Sequence, residues 1–207
     1  MSTQKYFEIL TEEIHSVVVA TVDENGLPTT RVIDMMLHDD SGIYFLTAKG
    51  KTFYKQLMEK SYLCLSGILG EKASMSKKAI SLSGSVRNLG SDKLKEIFIK
   101  NPYMVDIYPS IESRKALDVF CIYKGQGEYF DLSTKPITRG SFTFGGKKLQ
   151  EFGYIITDDC VGCSKCAENC PQDCIDEGEP FVINQEHCLH CGYCYDICPS
   201  EAIVKKA

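Results

Sequence analysis

Apolar and polar positions alternate with different periods along the chain. Over residues 4–14, QKYFEILTEEI, the residues Phe7, Leu10 and Ile14 share one face at helical spacing. SVVVATV follows, short and β-branched, and predicts a strand. DENG reads as a turn in which Asn25-Gly26 accepts positive φ. LPTTRVIDMML predicts the partner strand, HDDSG another turn and IYFLT a third strand. KTFYKQLMEK is basic and helical, and YLCLSGIL and AISLSGSVRNL read as strands. SDKLKEIFIK predicts a helix with Leu94, Ile97 and Phe98 inward; DVFCIYKG and GEYFDLS predict a closing hairpin. Short antiparallel strands joined by tight turns predict a mainly β, α+β domain built on a small barrel over residues 1–132.

Residues 133–152, STKPITRGSFTFGGKKLQEF, read as a connector to a cysteine-rich domain over 153–207. That domain repeats itself. CVGCSKCAENCPQDCI at 160–175 matches CLHCGYCYDICPSEAI at 188–203, reproducing C-x2-C-x2-C-x3-C-P with an offset of 28 residues. YIIT and FVIN precede the two copies, so the halves are expected to pack as a pseudo-twofold pair.

Composition sharpens this picture in three places. No apolar run reaches the roughly 18 residues that would predict a membrane span. The polar N-terminus lacks a signal-peptide core, so a cytoplasmic protein is expected. Nine of the eleven cysteines fall in the last 48 residues, a crowding that favours metal or cluster ligation over disulfides. Residues 151–207 carry a net charge of −8 and residues 1–150 a net +3. An acidic tail argues against nucleic acid, and a mildly basic body leaves room for an anionic ligand.

An iron–sulfur cube needs one thiolate on each iron, and closely spaced cysteines can converge on one cube. Zinc sites use two pairs across a longer span. The 153–207 segment resembles bacterial two-cluster ferredoxins, in which the fourth cysteine crosses to the other cluster. The resemblance implies two [4Fe-4S] clusters, one on Cys160, Cys163, Cys166 and Cys198 and one on Cys188, Cys191, Cys194 and Cys170. Cys174 stands where the second copy has Ala202 and is expected to be a small buried residue. Cys64 and Cys121 are expected in the core, and His187 and His190 outside the ligand set.

Residues 1–150 contain no Walker A sequence, no Rossmann fingerprint and no nucleophile–base arrangement that stands out. The run at 17–68 has a G-x-P at 26–28, a strand carrying Arg31, the YFLT strand and a basic loop–helix at 49–60. With AISLSGSVRNL and ALDVFCIY after it, this order resembles the pyridoxamine 5′-phosphate oxidase-like family of FMN-binding split barrels. The resemblance implies FMN at the two-fold interface of a homodimer. Arg31, Thr47, Lys51 and Thr52 would hold its phosphate, and backbone groups of Val32, Ile33 and Asp34 would run along its ring. Met36 and Thr52 replace basic residues of the vitamin-processing oxidases, which argues against vitamin B6 as substrate. The two halves together predict an FMN-dependent reductase in which clusters pass single electrons to flavin for a small-molecule acceptor. The alternatives are an electron-transfer or redox-sensing flavoprotein serving a redox protein partner, and a barrel that binds haem instead of FMN.

Overall fold

A computed structural model describes residues 1–70, 76–150 and 152–206. It divides into two compact units, and the division does not follow a single cut in the chain. The first unit holds Met1–Leu69, Ala79–Glu128 and Ser141–Lys148. The second holds Tyr129–Gly140, the residues from Leu149 onward and the described part of 70–78.

The chain begins with α1 (Thr3–Glu8), capped by the Ser2 hydroxyl, which continues as a π-helical turn over Ile9–Ile14. Phe7 and Leu10 are buried as their spacing predicts, and Thr11 joins them because the wider turn rotates it inward. The turn ends at His15, whose φ of 59° is rare for a non-glycine residue.

The strands that follow are β1 (Ser16–Val22), β2 (Pro28–Asp34), β3 (Leu37–Asp39) and β4 (Gly42–Ala48). After the helix α2 (Thr52–Lys60) come β5 (Tyr62–Gly70), β6 (Lys77–Gly90), β7 (Leu117–Asp131) and β8 (Thr138–Phe144). Between β6 and β7 lie α3 (Leu94–Lys100), α4 (Met104–Ile107) and α5 (Ile111–Arg114). The sheet order is β2-β1-β5-β6-β7-β4-β3, with β8 paired to β7. Two cores result from the alternation along the strands. Phe45 lies between Phe53 and Phe120 on one face, at centroid distances of 5.9 and 5.6 Å. Tyr44, Leu117, Val119 and Cys121 pack on the other face, against Ile97, Phe98 and Met104.

Four sequence expectations change. LPTTRVIDMML is two strands, broken where Met35 and Met36 turn into the interior. The expected hairpin over DVFCIYKG and GEYFDLS is one fifteen-residue strand, β7. Its glycines serve close approach: a Cβ at Gly125 would meet the Ser83 carbonyl and the Phe144 ring, and one at Gly127 the Phe142 ring. The segment read as a connector contributes β8, with Phe142 buried. Cys121 is in the core, but Cys64 is exposed, because it points outward in register with Ala20 on β1. Gly127→Ala is expected to destabilise the protein by about 1–3 kcal/mol, since the added methyl has no space. Chemical denaturation checks it, and an unchanged midpoint would mean that the sheet relaxes freely there.

The second unit contains β9 (Gly153–Ile156), α6 (Lys165–Glu168), β10 (Ile175–Asp176), β11 (Val182–Ile183), α7 (Tyr193–Asp196) and β12 (Ile203–Lys206). Each half's exit strand pairs with the other half's entry strand: Ile175 opposite Ile183, and Ile203 opposite Ile156. The internal repeat therefore folds as two interlocked copies. Both copies place left-handed residues at the same steps: Gly162 with His190, Ser164 with Gly192, and Asp173 with Glu201. Such residues turn the chain sharply and redirect its N–H groups.

Candidate functional site

The cysteines of the second unit fall into two groups. One cavity is lined by Cys160, Cys163, Cys166 and Cys198 with Ile156, Phe181 and Ile203. The other is lined by Cys188, Cys191, Cys194 and Cys170, and also by Cys174, with Tyr154, Ile175 and Ile183. The fourth cysteine of each copy thus faces the first three of the other. Among the described residues no three His, Cys, Asp or Glu side chains converge closely enough for a single metal ion. A cube has four separate corners and needs its thiolates further apart than one ion does.

Local polarity favours the thiolate at Cys188 and Cys198, whereas burial disfavours it at Cys166 and Cys194. The Cys188 thiol is pulled down to about 6 by a hydrogen bond from Cys174, helped by the His190 N–H and the Arg139 charge. Cys174 is pushed up by the same contact and by burial. It is buried as expected, and its sulfur lies 3.5 Å from that of Cys170. Burial and the neighbouring Cys188 push Cys194 up to about 11. Against its burial, Cys198 is lowered by the Ser200 hydroxyl and by backbone N–H groups of Ser200, Ala202 and Ile203. The imidazole of His187 bonds the Ile137 carbonyl at 2.8 Å, and Arg139 reaches the Cys188 carbonyl at 3.5 Å.

In the first unit, β2 is an edge strand that pairs, among the described residues, with β1 alone, so alternate backbone groups over Val32–Asp34 are left for another partner. Arg31 points inward on β2. Its guanidinium donates to Thr21, to Thr29 at 2.7 Å and to Gln56 at 2.9 Å, and stands 4.5 Å over the Phe53 ring. Gln56 and Phe53 belong to α2, so these contacts bring Arg31 beside the first turn of that helix. Burial lowers the proton affinity of Arg31, but a guanidinium remains charged.

Thr47 is buried at the end of β4, and Lys51 and Thr52 are exposed at the start of α2. Lys51 is the N-cap residue, its side chain makes no capping hydrogen bond, and the first turn carries no acid. Free N–H groups, the helix dipole and two cations make a place for an anion. Asp34 is used differently from its neighbours. Its carboxylate accepts from Ser16 at 2.6 Å and from Tyr103 at 2.8 Å, and the Tyr103 hydroxyl also meets His15 at 2.7 Å. Sequence reasoning missed Thr21, Thr29, Gln56, His15 and Tyr103, whose partners lie far away along the chain or have no motif.

Comparison with known proteins places both halves. Residues 2–124 match the pyridoxamine 5′-phosphate oxidase family. The chain belongs to that family. Residues 153–199 match the 4Fe-4S dicluster domain, so a ferredoxin-type module is joined to the family's barrel. A ferredoxin from Butyribacterium methylotrophicum is 49% identical over 32 residues, 16% of this chain; the match spans 58% of the ferredoxin. Among solved structures, a nimC/nimA family protein from Clostridium acetobutylicum superposes with a TM-score of 0.55 at 20% identity, covering 68% of this chain and 92% of that one. A heme binding protein from Mycobacterium smegmatis gives 0.54 at 11% identity, over 69% of this chain and 58% of that one. These likenesses establish a split-barrel fold, mainly β with some helices, followed by a ferredoxin-like region.

Proposed function

We propose that this protein is a flavin/iron–sulfur oxidoreductase: two [4Fe-4S] clusters pass single electrons to FMN, which reduces a small acceptor. The observation that carries the reading is the crossed grouping of the eight repeat cysteines into two cavities, one of which Cys174 also lines, in a chain whose other half belongs to the oxidase family. When bound, the clusters carry single electrons and the flavin carries one or two. Cys160, Cys163, Cys166 and Cys198 would hold one cluster, and Cys188, Cys191, Cys194 and Cys170 the other. Ile156, Phe181, Ile175 and Ile183 form the apolar part of the two linings.

Arg31, Thr47, Lys51, Thr52 and the first N–H groups of α2 would hold the flavin phosphate. Thr21, Thr29 and Gln56 fix the guanidinium before the ligand arrives. Tyr103 and Ser16 anchor Asp34, so the end of β2 is held in place for the ring edge. The reading includes a homodimer. The outward face of β2, β1 and β5 exposes Val32, Val18, Tyr62 and Ile68, and a second copy would cover them. Among the described residues no helix is long and apolar enough to cross a membrane; a cytoplasmic location is part of the proposal.

Anaerobic purification with quantitation of flavin, iron and sulfide tests the cofactors directly, and a screen of small acceptors under steady-state reduction tests the reductase. Arg31→Ala is expected to weaken FMN binding by about ten- to a hundred-fold, the worth of one charge-assisted contact. Lys51→Ala is expected to act in the same direction with a smaller effect, because Lys51 is exposed. Wild-type affinity in both variants, measured by titrating the apoprotein, would remove the phosphate site from the proposal.

A further inference from the structure

A second concavity in the first unit is not used by the flavin reading. It has a volume of about 980 Å³, at the upper end for small-molecule sites. Its walls come from α3, α4, α5 and the start of β7, with Leu94, Phe98, Ile99, Val105, Ile111 and Leu117 as the apolar lining. Ile99 is 71% and Ile111 77% exposed, a high exposure for two isoleucines in one groove.

The charged lining is one-sided: Lys49, Lys95, Arg114 and Lys115 against a single acid, Asp118. Asp118 is matched by Lys49 at 3.2 Å, and it also accepts hydrogen bonds from Tyr54 and Asn88. Lys115 is matched by Glu112 at 2.8 Å. Lys95 and Arg114 have no ion pair among the described residues. Arg114 is nevertheless fixed. Its guanidinium lies 4.1 Å over the Phe98 ring, and its Nε donates to the Tyr108 carbonyl at 3.0 Å. Its two terminal nitrogens have no hydrogen-bond acceptor among the described residues. A guanidinium held by its stem with its fork free is suited to a carboxylate or sulfonate.

From this we infer that the groove is a binding site for a small organic anion with an apolar body, such as an aryl or alkyl carboxylate. The acid group meets Arg114 and Lys95, and the body lies on Phe98, Ile99, Val105 and Ile111. The lining contains no His, Cys, Met or Tyr, so it offers no ligand of the types that hold haem iron. Arg31 is not part of the lining, so the inference stands apart from the flavin site.

The test is calorimetric titration of the full-length, cofactor-loaded protein with 8-anilinonaphthalene-1-sulfonate, an apolar sulfonate. N-phenyl-1-naphthylamine, which lacks the acid group, is the control. Saturable binding at one site per chain is expected for the sulfonate, and binding weaker by about ten-fold or more for the amine. Ile111→Asp is expected to abolish sulfonate binding. Arg114→Gln should weaken it about ten-fold and leave the amine unaffected, and Lys95→Gln should act in the same direction. Ile111 and Lys95 are exposed, so these variants keep the fold, and their flavin and iron contents serve as the check. Arg31→Ala should hold flavin more weakly and bind the sulfonate as the wild type does. Absence of saturable binding to the wild type, as when a second copy or a protein partner covers the groove, overturns the inference. So does wild-type affinity in both Ile111→Asp and Arg114→Gln.

Discussion

Replacing Cys170 with serine is expected to remove about four of about eight iron atoms per chain, the content of one cube out of two. The affected cube would be the one held by Cys188, Cys191 and Cys194, although Cys170 belongs to the first copy of the repeat. The reason is geometric: Cys170 lines the cavity of those three cysteines, and Cys198 lines the other. Cys191→Ser should therefore deplete the same cube as Cys170→Ser. Combining the two should remove little more iron than either alone, because residues that serve one unit are not additive. Cys174→Ala is the control. Its thiol contacts Cys170 and is buried, but the equivalent place in the second copy is Ala202, itself buried. Iron and sulfide analysis with low-temperature electron paramagnetic resonance of the reduced protein reads all four variants. Iron loss in Cys174→Ala equal to that in Cys170→Ser would sink this ligand assignment.

The parts of this fold that were legible in sequence are those set by local patterning. The β-branched run at 16–22 and the alternation through 62–68 predict their strands because one face is buried. The 28-residue repeat also showed which cysteines are equivalent. The break at Met35–Met36 was hidden, because a continuous apolar run looks the same whether a strand ends or continues. Gly125 and Gly127 read as turn residues, yet they sit in mid-strand, where two aromatic rings occupy the space of a side chain. That packing joins residues distant in sequence and leaves no local mark.

The sites divide the same way. Cysteine spacing carries the proposed cluster site because all the proposed ligands come from two short segments. The left-handed turns around them were only half legible. Gly162 and Gly192 advertise positive φ, but their partners in the other copy are His190 and Ser164. Comparing the copies would have exposed both, since equivalent positions must share a backbone conformation. The flavin side has no such spacing. Gln56 meets Arg31 only after α2 has folded onto β2, and Tyr103 meets Asp34 only after α4 has docked at the end of the same strand. Each pair follows from tertiary structure, and a lone glutamine or tyrosine in sequence marks neither.

Mixing the loaded protein with a one-electron reductant is expected to reduce the clusters first. Flavin reduction should follow in a phase whose rate does not depend on protein concentration. Such a rate is the signature of electrons passing within one assembly, and it is the step on which the proposed reductase depends. The competing behaviour is a tethered ferredoxin that moves independently, the default for domains joined by a small polar interface. It would give a slower flavin phase, sensitive to added ferredoxin. The full-length double variant Cys163→Ser, Cys191→Ser takes one ligand from each cavity. Its flavin content should stay near that of the wild type, because Arg31, Thr47, Lys51 and Thr52 belong to the other unit. Its fast flavin phase should disappear. If that variant takes electrons from the same donor as quickly as the wild type, the clusters are not the entry to the flavin, and the conversion of single electrons into pairs must be given up.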